Sequence, residues 1–138
     1  MKNMEKFAEH IIAIANDNNI FITNTQLQKI MYFSIKSVKT SDDFLEDLYD
    51  EPFCVWRYGP VVKLVYDKYK DFGANPIFVS SKTNEKYNIY NNKIIELLKT
   101  PVFDLINQSI KEQKWQENKS KIHFSTSNIE YTLDDILN

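Results

Sequence analysis

A chain of 138 residues, 43% hydrophobic and 14% aromatic, has the size and composition of one packed domain; disorder is excluded, and two separate cores would not fit. Its formal net charge of -2 excludes nucleic-acid binding through bulk charge, because such affinity comes from neutralising many phosphates. No apolar stretch approaches a membrane span, the amino terminus lacks a basic-then-apolar signal pattern, and the single cysteine, Cys54, cannot close an internal disulfide, so cytoplasm is expected.

Met4, Phe7, Ala8, Ile11, Ile12 and Ala15 recur at the three-and-four spacing of one helical face. Asn16 to Asn19 stop that helix, since Asn and Asp compete for backbone hydrogen bonds and tolerate left-handed turns. Ile20 to Ile22 then run extended to a second helix start. Thr23 and Gln26 have capping-box spacing, and Ile22 and Leu27 are placed as the hydrophobic staple. The helix that follows points Leu27, Ile30, Met31, Ser34, Ile35 and Val38 inward and leaves Gln28, Lys29, Tyr32 and Lys36 nearer its rim. An antiparallel helical hairpin is the simplest arrangement of the two.

From Asp42 to Glu51 the chain is acidic, with Asp42, Asp43, Glu46, Asp47, Asp50 and Glu51 and no base between them. Phe44, Leu45, Leu48 and Tyr49 alternate with these as in a short amphipathic turn. Pro52 to Trp56 reads as extended, and Pro60 suits the first position of a helix, where its missing N–H costs nothing. That helix, to about Phe72, sets Val61, Leu64, Val65, Lys68 and Phe72 on one side with Tyr66 and Tyr69 beside them, and Gly73 ends it. Ile77–Val79 and Tyr87–Ile89 read as two short strands. Asn91–Lys99 is predicted helical, Pro101 separates it from a helix near Val102–Lys114, and 116–121 reads as a loop. Ile122–Phe124 and Ile129–Tyr131 are set to pair as a hairpin before a last turn capped by Thr132. The predicted fold is mainly α: a compact helical domain with one or two short β-hairpins.

Groups that converge for catalysis are scarce. His10, Cys54 and His123 follow no metal-ligand spacing, and Gly59 and Gly73, the only glycines, make no phosphate loop. His10 reads as a rim histidine and Cys54, among Phe53, Val55 and Trp56, as a small buried hydrophobe. The chain is therefore expected to be no enzyme, with no cofactor and no metal. The acidic run lacks the ligand order of a calcium loop; it is either a solvated charged loop or a negative surface that steers a basic partner. Trp56-Arg57-Tyr58-Gly59-Pro60 is the most specific local signal. Arg57 is the only arginine in a sequence skewed toward Lys, Asn, Ile, Tyr and Phe, a skew that suits an AT-rich bacterial or phage source. Two aromatics beside it permit stacking together with bidentate hydrogen bonding. Arg57 is either a strut for helix-end carbonyls or a partner contact, with Trp56 as a core plug in the first case.

The run Ile22-Thr23-Asn24-Thr25-Gln26-Leu27-Gln28-Lys29-Ile30-Met31-Tyr32-Phe33 resembles the "I-T-x-x-K-L-Q-K-L-L-Y" start of the Panacea domain, also called SocA-like or phage-associated GepA-like. Phe53 to Val62 resembles that family's second hallmark, continued by Val65-Tyr66, at a similar separation. The resemblance is strongest over Met4 to Pro76, within a single domain over residues 1–138, and the part from 77 onward diverges. The first lysine of the pattern is absent ahead of Gln28, where Gln26 and Leu27 stand. Ser109, Ile110 and Trp115 stand where members often have a Thr/Ser-His pair before a tryptophan, and the histidine is missing.

This resemblance implies a helix-dominated binding module that neutralises a toxin, often encoded in a prophage beside the toxin gene. The candidate contacts are Lys29, Tyr32, Lys36, Trp56, Arg57, Tyr58, Tyr66 and Tyr69; those that are exposed would be anchors and those that are buried would be core. The expected partner is a cognate toxin or other target protein, with no membrane involved and no reading of oligomeric state. The acidic run suits a basic partner such as a nucleic-acid-binding toxin. Two alternatives stand beside this one. One is a phage-encoded inhibitor of a host defence system, such as a CRISPR effector. The other is a DNA-binding regulator built on the first helical hairpin, to which the near-neutral charge and lone arginine are adverse.

Overall fold

The first helix, α1 (Asn3–Asp17), buries the expected face from Met4 to Ala15. Its first turn has backbone donors with no partner inside the helix, and Asp50 takes two of them: the amides of Asn3 and Met4 donate to Oδ2 and Oδ1 at 2.7 and 3.1 Å. The left-handed Asn19 (φ 54°) turns the chain at its end. Thr23 then starts α2 (Asn24–Ser37) through the predicted capping box, with Gln26 N donating to Thr23 Oγ1 at 3.2 Å and Thr23 N to Gln26 Oε1 at 2.9 Å. These two helices pack together as expected.

This computed structural model describes residues 1–138, and in it α2 is a central helix with neighbours on every side. Every residue from Leu27 to Ile35 is buried. Gln28, Lys29 and Tyr32 are therefore not at a rim, because later elements cover the side that two helices alone would leave open. The acidic run forms α3 (Asp42–Leu48), capped by Ser41, with Leu45 and Leu48 inward.

β1 (Phe53–Trp56) and β2 (Gly59–Val62) form an antiparallel hairpin, with Phe53 opposite Val62 and Trp56 opposite Gly59. Pro60 is thus a strand residue and not the start of a helix. It sits opposite Val55, whose amide donates to Ile129 O at 2.9 Å, so the N–H that proline lacks is not needed in the ladder. The helix begins later, as α4 (Lys63–Tyr69), which shifts its inward pair to Val65 and Tyr69 and leaves Leu64 exposed. A short 3₁₀ turn, Lys70–Phe72, ends at Gly73 with φ 59°, the positive value its place as terminator requires.

Neither expected strand between 77 and 89 forms. Ile77 is extended and donates to Ile22 O at 2.8 Å, while Glu85–Tyr90 is 3₁₀, placing Tyr87 and Tyr90 against Phe7. There follow α5 (Asn91–Leu98), α6 (Val102–Ile110), α7 (Gln113–Asn118) and α8 (Leu133–Leu137). The predicted helix to Lys114 is thus broken after Ile110, and the expected loop at 116–121 is helical up to Asn118. The second hairpin also fails to form: Ile129–Tyr131 pairs with β1 instead, Tyr131 N donating to Phe53 O at 2.8 Å. Thr132 caps α8 as expected. One buried cluster joins the hairpin and the α-helices apart from α7, whose Trp115 packs against it half-buried, and within it the Tyr32 ring meets Phe33, Phe53 and Tyr131 edge-on. No helix is long and apolar enough to cross a membrane.

Candidate protein-binding face

The polar residues of α2 hold the hairpin from beneath. Gln28 Oε1 accepts from Val62 N at 2.9 Å, and its amide group donates to Asn24 Oδ1 at 3.1 Å. Asn24 in turn donates to Tyr66 O at 3.1 Å, and Lys29 Nζ donates to Pro60 O at 3.0 Å. All three side chains are buried, where a polar group without a partner would be costly. The first sequence block thus grips the backbone of the second, which ties helix position to strand position. Lys29 is only 1% exposed, and burial pushes its pKa down to about 7.

The far side of the hairpin is held by the carboxyl-terminal half. Trp115 Nε1 donates to Trp56 O at 2.9 Å, Trp56 Nε1 donates to Ser127 O at 3.2 Å, and Arg57 N donates to Ser125 O at 2.9 Å. Gly59 has φ +105°, and a Cβ there would lie 2.3 Å from Ser109 Oγ and 2.9 Å from Lys29 Cε. Only glycine fits both this backbone and this approach.

What the hairpin presents is its two-residue tip. Arg57 and Tyr58 are exposed, the guanidinium carbon 5.4 Å from the Tyr58 ring centre. On one side lies a groove of about 890 Å³ with Phe103, Ile106, Ile110, Trp115 and Ile122 in its lining. On the other lies a depression of about 450 Å³ that includes Trp56, Tyr66 and Phe124. Tyr58 (54% exposed), Phe103 (74%) and the fully exposed Phe124 are the large hydrophobic side chains displayed here. Phe124 and Ser125 have φ of 51° and 77°, values costly for residues with a Cβ. Such strain gathers at functional sites.

Of the eight candidate contacts, the structure gathers Trp56, Arg57, Tyr58 and Tyr66 around the second depression, with the buried Lys29 also in its lining. Trp56 and Tyr66 are half-buried, their rings 5.0 Å apart edge to face. Lys29, Tyr32 and Tyr69 are core residues and not surface contacts. Tyr32 donates to Glu112, and burial, reinforced by that carboxylate, holds its phenol strongly protonated. Lys36 lies elsewhere, tying the carboxyl terminus through Ile136 O (2.7 Å) and Glu112 (3.2 Å). In the acidic run, Asp50 caps α1 and Glu51 pairs with Lys2 at 3.5 Å; Asp42, Asp43, Glu46 and Asp47 are exposed on α3.

His10 is buried, not at a rim: its ring bonds Asn91 Oδ1 at 2.7 Å through Nε2 and accepts from Asn84 N at 2.9 Å through Nδ1. Cys54 is half-buried, and burial together with Glu130 and Glu51 pushes its thiol pKa up, away from a nucleophilic thiolate.

Phe103, Ile106, Ile110 and Phe124 are not among the contacts expected from the sequence. A signal for the first three existed. α6 turns Leu105 and Ser109 inward yet also carries Val102, Phe103, Ile106 and Ile110, more apolar surface than one buried stripe requires. Phe124 had none, because its display depends on the backbone of a single turn.

A family model described as antitoxin SocA-like, Panacea domain, matches residues 27–137, a span that begins in α2 and runs through the carboxyl-terminal half. No curated protein and no solved structure matches the chain.

Proposed function

The chain belongs to the antitoxin SocA-like, Panacea-domain family, and from that premise we propose that it neutralises a cognate toxin by direct, stoichiometric binding in the cytoplasm, as a binder and not as an enzyme. One observation carries the proposal for the face: Arg57 and the exposed Tyr58 and Phe103 line an apolar groove, with the exposed Phe124 at the adjoining depression, on a hairpin whose second strand is held by the buried Gln28 and Lys29. A preorganised tip loses little freedom on docking, and exposed aromatic and arginine side chains are the types that dominate binding energy.

Co-expression with the product of the neighbouring gene tests this. The expected result is a co-purifying complex and relief of that product's toxicity. Neither complex nor relief would contradict the proposal.

A second reading, inhibition of a host defence protein of phage-infected cells, draws on the four exposed carboxylates of α3, which suit a basic target such as a CRISPR effector as they suit a basic toxin. The identity of the neighbouring gene separates the two. A DNA-binding regulator is disfavoured by burial: α2, the helix it would present, is covered from Leu27 to Ile35.

A further inference from the structure

We infer that the trough on both sides of the Arg57–Tyr58 tip receives an extended segment of the partner protein that carries apolar and acidic side chains together. The inference rests on the binding role proposed above and gives that partner a chemistry. The groove and the depression share Thr25, Arg57, Tyr58 and Ala74, so the tip is a ridge within one continuous trough. Along the groove its floor is apolar. Its only charged lining residues are Arg57 and Lys119 in the groove, and Arg57 with the buried Lys29 in the depression.

No carboxylate lines either part, although the chain holds 19 acidic residues against 17 basic ones. Arg57 and Lys119 take part in none of the six ion pairs of the protein. The guanidinium lies over the Tyr58 ring and makes no hydrogen bond, and Lys119 donates only to Gln116 Oε1, at 2.8 Å. Each cation is open to a carboxylate from outside, and Arg57 offers the planar fork that grips one in two bonds. Phe103, Ile106 and Ile110 of α6 line the same groove as the two cations and suit leucine or aromatic side chains of the same segment. A concave trough with one cation on the ridge between its two parts and another in the groove fits a chain laid along it. A lipid surface calls for a protruding apolar face.

The test is selection of a random dodecapeptide library on the immobilised full chain. The enriched peptides are then titrated by fluorescence anisotropy, with phosphatidylglycerol vesicles titrated in parallel. The inference expects enriched peptides that join Phe, Trp or Leu to Asp or Glu. Their affinity should fall at least tenfold for Arg57→Glu/Lys119→Glu and, separately, for Phe103→Ser, with melting temperatures unchanged. No enrichment, enrichment of basic peptides, undiminished binding to the variants, or binding to vesicles without selection of acidic peptides overturns it. The two levels fail separately. If the neighbouring gene's product binds both variants as well as the parent chain, the role stands and this site falls. If that product does not bind while acidic peptides still require these residues, the site stands and the role falls.

Discussion

Arg57 acts through what its side chain leaves free. Its backbone amide is fixed on Ser125, but the guanidinium has no hydrogen bond or ion pair, so it is not a strut. Arg57→Ala is therefore expected to shift stability by no more than about 0.5 kcal/mol, the usual range for surface changes. Binding should weaken about tenfold or more, as for a hot-spot arginine. Calorimetry of unfolding and of binding on the same variant checks both.

Gly59 is the opposite case. Gly59→Ala meets Ser109 and an unfavourable positive φ at once, and a loss of about 2 kcal/mol or more is expected from strain and overpacking. A variant as stable as the parent in denaturant titration would contradict that reading of the turn.

Lys29 gives stability a pH dependence whose sign follows from linkage. The unfolded chain keeps the lysine proton to about its ordinary value of 10.5, and the folded chain loses it near 7. Between those values the unfolded state binds more protons, so stability rises with pH, at up to about 1.4 kcal/mol per unit. Near pH 9 and above, Cys54 and the buried tyrosines oppose it, because their raised pKa values make the unfolded state lose protons first. Denaturant titrations from pH 7.5 to 8.5, above the range in which the lowered His10 pKa acts and below that of Cys54, are expected to show the rise in the parent and little change in Lys29→Met. The same slope in both would assign it to another group.

At the scale of elements, local signals were the legible ones. The capping box of Thr23 and Gln26, the face of α1 and the cap at Thr132 are written in neighbouring residues, and all three formed. Pro60 was misplaced because the same residue suits a helix start or an edge strand. Only Gly59 at positive φ and the bond from Val55 to Ile129 decide between them, and that partner lies more than seventy residues away. Lys29 and Tyr32 were misplaced for a related reason: the spacing on α2 shows which side is apolar, not what later covers the polar side. Charge is a different matter, since α3 shows on its surface the carboxylates it shows in sequence. Replacing Asp42, Asp43, Glu46 and Asp47 by their amides is expected to slow association with a basic partner and to flatten its salt dependence, leaving dissociation nearly unchanged. Stopped-flow kinetics at two ionic strengths measures it, and unchanged association would leave α3 a solvated face.

For the whole molecule, two sequence blocks that read as separate hallmarks form one device. The α2 block grips the hairpin from below, Ser109 and Trp115 close against it from the carboxyl-terminal half, and the tip emerges between two hollows. Ile110 lines the groove and adds to its apolar surface. Half of the candidate face was readable as Trp56-Arg57-Tyr58; the other half, on α6 and the turn at Phe124, is brought there only by the chain's return to the hairpin. The most direct test of this face is isothermal titration of the neighbouring gene's product with the parent chain and with Arg57→Ala/Tyr58→Ala/Phe103→Ser. The expected result is an affinity lowered about a hundredfold or more at an unchanged melting temperature, with neutralisation lost; equal affinity and full neutralisation by the triple variant would contradict it.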